Sequence, residues 1–238
     1  MKKLFLVLFI AVFSYAEGIL VAAAANTTYA MPEIIKEFNK KYPGIKVDLV
    51  LASSGKLTAQ IMHGAPYDVF MSANMKYPDF LFQRGFSKTE PAVYAKGALS
   101  LLSVKKEKLK DLNSSVLSAR LIAVANPKSA PYGKAAVEAM KKAGVYSKVK
   151  DRLVYAESVA GVIPYVLREA DVGVVAKSSL YSEKMKRYTN HIDVPVNLYS
   201  PINQGIILLH NSKEAKLFYD FILSDKAEEI FKKYGYIY

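Results

Sequence analysis

Apolar residues recur along the chain in two alternating periods. Residues 19–23 form a short unbroken apolar run of the kind buried in a sheet. Residues 31–42 then put Met31, Ile34, Ile35, Phe38 and Tyr42 on one helical face. Pro32 suits the first turn of that helix, and Pro43-Gly44 stops it. Residues 45–49 alternate as a strand, 57–63 read as a short helix and 68–72 as the next strand. Three βα units in succession predict a parallel sheet with right-handed crossovers. The alternation then returns, with strands expected at 98–104, 121–125, 172–176 and 205–209. Helices are expected at 133–143, 162–169, 213–223 and 226–233, the first closed by Gly144.

No linker rich in Gly, Ser or Pro separates the two sets. The pattern therefore predicts an α/β protein of two lobes, each a mostly parallel sheet flanked by helices, joined by strands crossing near Gly97 and between Asn197 and Gly205. The expected division gives residues 17–97 to lobe 1, 98–200 to lobe 2 and 201–238 to a segment returning to lobe 1. Clefts between lobes are where ligands bind.

Residues 1–16 follow another logic. Met1-Lys2-Lys3, the ten apolar residues 4–13 and then Ser14-Tyr15-Ala16 have the plan of a secretory signal peptide, with cleavage expected after Ala16. Ten apolar residues cover only about half of the roughly 30 Å hydrocarbon core of a bilayer, too little for an anchor. A periplasmic location is expected.

Composition narrows the classes further. An apolar fraction of 52% with 23% charged residues belongs to a folded globular chain rather than a disordered one. The absence of Cys removes disulfides, thiolate metal sites, a cysteine nucleophile and a lipid-modified N-terminal cysteine. The exported chain is accordingly expected to be a free monomer with no membrane insertion. The formal charge is +12, and loss of Lys2 and Lys3 with the signal peptide leaves +10. Basic runs at 105–110, 141–142, 184–187 and 232–233 are scattered and mixed with acids, so no single basic face points to nucleic acid.

Four loops fall between a predicted strand and a predicted helix. They are Asn26-Thr27-Thr28, Ser53-Ser54-Gly55-Lys56, the stretch from Asn126-Pro127 to Ala130-Pro131-Tyr132-Gly133, and Glu157-Ser158-Val159-Ala160-Gly161. At the carboxyl edge of a parallel sheet, such loops present the unpaired N–H groups of helix N-termini. Any one of them alone reads as an ordinary N-cap or turn ahead of a binding loop. Together they suit an oxyanion, since each charge-assisted hydrogen bond from a neutral donor contributes roughly 1.5 to 3 kcal/mol. Lys56 reads either as an exposed first-turn lysine or as a side chain that reaches the site.

Catalytic constellations are missing from these loops. His63, His191 and His210 are far apart and outside them, and Asp68, at the start of a strand, reads as structural. Neither a Gly-x-Ser-x-Gly elbow, a Walker A loop nor a dinucleotide fingerprint is present. A binding protein is expected rather than an enzyme. The alternatives are a receptor for sulfate or another tetrahedral anion and, from a different class, an exported phosphate or sulfate ester hydrolase using Ser54.

Taken in order, Ala22-Ala23-Ala24-Ala25-Asn26-Thr27-Thr28-Tyr29-Ala30-Met31, Ala52-Ser53-Ser54-Gly55-Lys56-Leu57, Gly64-Ala65-Pro66-Tyr67-Asp68-Val69-Phe70-Met71-Ser72-Ala73, Ala130-Pro131-Tyr132-Gly133 and Tyr234-Gly235-Tyr236 resemble the periplasmic molybdate-binding proteins, the ModA family. The resemblance spans essentially all of the chain after residue 16. It implies a two-lobed type II periplasmic binding protein with no cofactor. Its ligand would be molybdate or tungstate, the metal arriving as an oxyanion rather than as a protein-coordinated cation, and its partner an ABC permease. Carried over by motif, the ligand-binding residues are Asn26 with Thr27, Ser54 with Ser53, Tyr132, and Val159 through its backbone N–H. Asn26 stands where some members carry serine, which leaves its amide, its side chain or Thr27 as the donor. Certain members place a tyrosine after the 172–175 strand. This chain has Ala176 there, leaving Tyr132 to supply a phenol from the opposite loop.

Overall fold

A computed structural model describes residues 18–238, so the signal-peptide reading of residues 1–16 lies outside the described residues. The chain runs through β1 (Gly18–Ala24), α1 (Met31–Lys41), β2 (Lys46–Ala52), α2 (Ser54–Met62), β3 (Val69–Met71), α3 (Lys76–Gln83) and β4 (Ala92–Gly97). It continues with β5 (Leu99–Leu102), α4 (Leu112–Ser118), β6 (Ile122–Ala125), α5 (Pro131–Lys142), α6 (Tyr146–Val149), β7 (Leu153–Ala156), α7 (Val162–Arg168), β8 (Val172–Ala176) and β9 (His191–Asp193). The last elements are β10 (Ile202–Leu208), α8 (Lys213–Ile222) and α9 (Asp225–Lys233).

Two five-stranded sheets result, in the orders β2-β1-β3-β10-β4 and β7-β6-β8-β5-β9. Their plans are the same. In the first, β1 pairs parallel with β2 and β3, and β10 is antiparallel to β3 and β4. In the second, β6 pairs parallel with β7 and β8, and β5 is antiparallel to β8 and β9. Each sheet thus holds a single reversed strand, and in both it is the strand by which the chain enters from the other half. The other strands run toward the junction, so a strand that starts there must run away from it. The expectation of mostly parallel sheets meets this one reversal.

Period-2 packing explains why the first sheet is covered on both faces. Val21 and Ala23 of β1, Val69 and Met71 of β3, and Ile206 and Leu208 of β10 pack with Phe38, Phe218 and Phe231 on one side. Ala22, Phe70 and Ile207 pack with Leu57 and Leu81 on the other. Phe38 is fully buried and makes edge contacts with Phe218 and Phe221 at 5.1 and 5.5 Å between ring centroids. Truncating such a phenylalanine to alanine costs about 3–5 kcal/mol.

Helices α2 and α5 begin earlier than the apolar pattern indicates, at Ser54 rather than 57 and at Pro131 rather than 133. Their first turns are small or polar and carry no apolar period. This brings Ser54 and Tyr132 from the loops into first helical turns. No helix among the described residues is long and apolar enough to cross a membrane.

Candidate functional site

Strands β1 and β6 occupy equivalent places in the two sheets, as do β2 and β7, and all four end at the junction between the lobes. A 3-10 turn, Ala25–Tyr29, follows β1; the N-terminus of α2 follows β2, that of α5 follows β6, and the loop into α7 follows β7. A small cavity of about 10 Å³ lies where they meet. Lobe 1 lines it with Ala24, Ala25, Asn26, Ser53, Ser54 and Ala73, and lobe 2 with Ala130, Pro131, Tyr132 and Val159. The run of alanines ending β1 keeps side chains out of this space. None of the lining residues is charged. Asn26, Ser53, Ser54, Tyr132 and Val159 are each at most 5% exposed, so the donors are buried, while Pro131 at the edge of the cavity is partly exposed.

Five of the six residues singled out in the sequence therefore meet. Thr27 does not line the cavity: its hydroxyl donates to the Ala24 carbonyl at 2.8 Å, inside its own turn.

The donors are arranged in a particular way. Ser53 holds the N-cap position of α2, yet its side chain makes no capping bond, and its buried Oγ has no hydrogen-bond partner. Ser54 Oγ accepts the Ala73 N–H at 2.9 Å, which leaves its own proton uncommitted. The Asn26 side chain commits Nδ2 to lobe 1, donating to Gln204 Oε1 at 2.7 Å and Tyr236 Oη at 2.9 Å, and leaves Oδ1 buried without a partner. The donor that Asn26 keeps free is its main-chain amide, at the start of a turn where amides lack internal acceptors. The same rule leaves the Ser54 and Lys56 amides of α2 and the Tyr132 and Gly133 amides of α5 without helical acceptors, and the positive end of a helix dipole favours an anion there. Tyr132 reaches from α5 to Gln204, whose Nε2 donates to its hydroxyl at 3.1 Å. Its ring crosses Gly97, where a Cβ would stand 2.1 Å from the hydroxyl oxygen, so only glycine fits. Burial pushes the Tyr132 phenol well above its usual range and keeps it protonated.

Besides the Tyr77 hydroxyl, which donates to the Ser129 carbonyl at 3.5 Å, four contacts hold the lobes together around this space. The Gly55 N–H donates to the Ser129 carbonyl at 2.9 Å, Ser178 Oγ donates to the Asn26 carbonyl at 2.9 Å, and the Gln204–Tyr132 bond adds a third. The fourth is the exposed pair of Lys56 and Glu157 at 2.5 Å. Lys56 thus lies on the rim and not in the cavity. Asp68 accepts the Leu20 N–H at 2.7 Å, a structural role. Larger surface clefts of about 320 and 410 Å³ surround Asp171 and Asp193. Their charges are already paired, with Arg120 at 3.5 Å and Lys177 at 2.5 Å, so they offer no comparable set of free donors. Sequence reading missed Ala73, Tyr94 and Gln204. Gln204 carried a usable signal as a polar residue inside the apolar run of β10.

Comparison with known proteins agrees with this geometry. The profile of the bacterial extracellular solute-binding proteins matches residues 19–237. The molybdate-binding protein ModA of Rhodobacter capsulatus is 36% identical, over 98% of this chain and 93% of its own. A putative ABC transporter substrate-binding lipoprotein of Bacillus subtilis is 32% identical over 91% of this chain and 85% of its own. The solved periplasmic molybdate-binding protein of Azotobacter vinelandii superposes with a TM-score of 0.85 at 32% identity, covering 92% of this chain and 99% of that one. Two lobes of one plan, a small cavity of buried neutral donors between them and matches along nearly the whole length place the chain in the ModA family of bacterial extracellular solute-binding proteins.

Proposed function

We propose that this protein is a periplasmic receptor that captures molybdate, and tungstate with it, in the interlobe cavity and delivers it to an ABC permease. The observation that carries this reading is the Ser53 hydroxyl, buried and unpartnered in a cavity without charged residues. Leaving such a group unsatisfied costs about 1–3 kcal/mol, and a ligand that accepts its proton recovers that loss. Ser54 Oγ, the Tyr132 hydroxyl and the amides of Asn26 and Val159 supply further donors, on the residues that the carried-over motifs imply. A cavity this small takes a compact ligand and rejects an extended organic phosphate. Because the donors are neutral, a dianion supplies all the charge. Molybdate and tungstate share size and charge and should bind alike, whereas the smaller sulfate leaves donors unpaired. Closure is assigned to movement of residues 98–200 against 17–97 and 201–238, about the crossings near Gly97 and Ile202.

Thermal unfolding with molybdate, tungstate, sulfate and phosphate tests the reading. A group 6 oxyanion at about 1,000 times its Kd should stabilise the fold by about 4 kcal/mol. Stabilisation by neither molybdate nor tungstate overturns the proposal, and stabilisation by sulfate alone moves the assignment to a sulfate receptor.

A further inference from the structure

Behind the cavity, buried polar side chains from distant parts of the chain meet: Asn26, Tyr94, Tyr132, Gln204 and Tyr236. Their hydrogen bonds set one another's direction, beginning at a group that can only accept. The Asn26 main-chain carbonyl receives the Tyr236 hydroxyl at 3.0 Å. With that proton committed, Tyr236 Oη accepts from the Asn26 side chain, which must present Nδ2 at 2.9 Å. The second hydrogen of this Nδ2 goes to Gln204 Oε1 at 2.7 Å, which also receives the Tyr94 hydroxyl at 2.8 Å. Gln204 is therefore bound to turn Nε2 toward Tyr132, whose oxygen accepts it at 3.1 Å. Tyr132 lines the cavity, and its own proton has no acceptor among the described residues.

We infer that Gln204 is a positioning residue: by donating to Tyr132 Oη it aims that hydroxyl's proton into the cavity and biases the site toward fully deprotonated oxyanions. The inference rests on the oxyanion reading of the cavity. Gln204 has no exposed surface, and both ends of its amide are satisfied within this network, one of them across the lobes. It sits on β10 where the register with β4 shifts between Gln204 and Gly205. A residue kept only for packing in a strand of Ile and Leu has no need of an amide whose two ends select donor and acceptor partners.

The test is a double-mutant cycle on the full chain, read by calorimetry with molybdate and by near-ultraviolet difference spectra. The chain has no Trp, so the ligand-induced spectrum comes from tyrosine. Gln204→Met and Tyr132→Phe are each expected to weaken molybdate about thirtyfold, the range of one charge-assisted hydrogen bond. The double variant should bind no more weakly than Tyr132→Phe alone, because both changes remove the same donor. The part of the difference spectrum lost in Tyr132→Phe should also be lost in Gln204→Met. Losses that multiply in the double variant, or a tyrosine signal that survives Gln204→Met, overturn the inference. Should Gln204→Met not fold, Gln204→Glu decides. Its carboxylate still accepts from Asn26 and Tyr94 but takes the Tyr132 proton, so the signal must vanish, and a retained signal overturns the inference. A wild-type chain that binds neither molybdate nor tungstate overturns the oxyanion reading itself, and this inference with it, before any variant is made.

Discussion

Ser53 and Ser212 stand at the same position of two helices and do opposite things. Ser212 is the N-cap of α8 and accepts the Ala215 N–H at 3.1 Å; Ser224 does the same for α9 with Ala227, and Asp111 for α4 with Ser114. Ser53 is the N-cap of α2 and accepts nothing, although serine is among the preferred caps. At α5 the N-cap is Ala130, which has no side-chain oxygen to offer. The helices that point at the cavity are left open where a capping oxygen would compete with a ligand for the same amides. A cap stabilises its own helix, whereas an uncapped N-terminus keeps its donors for something else. The difference between these serines lies not in the residue type but in what faces it.

Substitutions can break this comparison from either side. Ser53→Ala should lower molybdate affinity about ten- to a hundredfold, the range of one charge-assisted hydrogen bond. It should leave unliganded stability unchanged or raise it slightly, since a buried unsatisfied hydroxyl is removed. Calorimetry and denaturant unfolding on the same preparation check both, and a destabilised variant of unchanged affinity would show that Ser53 is an ordinary cap. Ser212→Ala should do the reverse, costing about 1 kcal/mol of stability at unchanged affinity. Weaker molybdate binding in that variant would refute the separation of roles. The smallest effect is expected at the rim. Lys56→Met removes an exposed ion pair with Glu157, of a kind contributing about 0.2–1 kcal/mol. Affinity should fall by no more than about fivefold, and the difference from wild type should shrink as salt is raised. A larger loss that persists in high salt would place the Lys56 charge on the ligand.

The two-lobed plan and the meeting of Asn26, Ser53, Ser54, Tyr132 and Val159 were legible in the sequence. Strand and helix periods alternate clearly, and loops at the carboxyl ends of parallel strands converge by topology. Less could be read of how those residues are held. The bonds from Asn26 to Gln204 and to Tyr236 span 178 and 210 residues, and no local period carries information over that distance. The commitment of Asn26 Nδ2, with Oδ1 left buried and unpartnered, follows from those partners alone. The capping failure at Ser53 was equally invisible, because a serine before a helix has the same spelling whether or not it caps. Short elements without their own apolar rhythm, such as β9 and α4, also escaped notice.

The burial of the donors between two lobes has a consequence in time. With every polar lining residue at most 5% exposed and the donors contributed by both lobes, an anion held there is buried with them. Departure waits on separation of the lobes, so the opening rate caps the dissociation rate of any occupant, however weakly it is held. Contacts across the lobes, the buried Gln204–Tyr132 bond and the partly exposed Gly55–Ser129 bond among them, thereby set a residence time as well as an affinity.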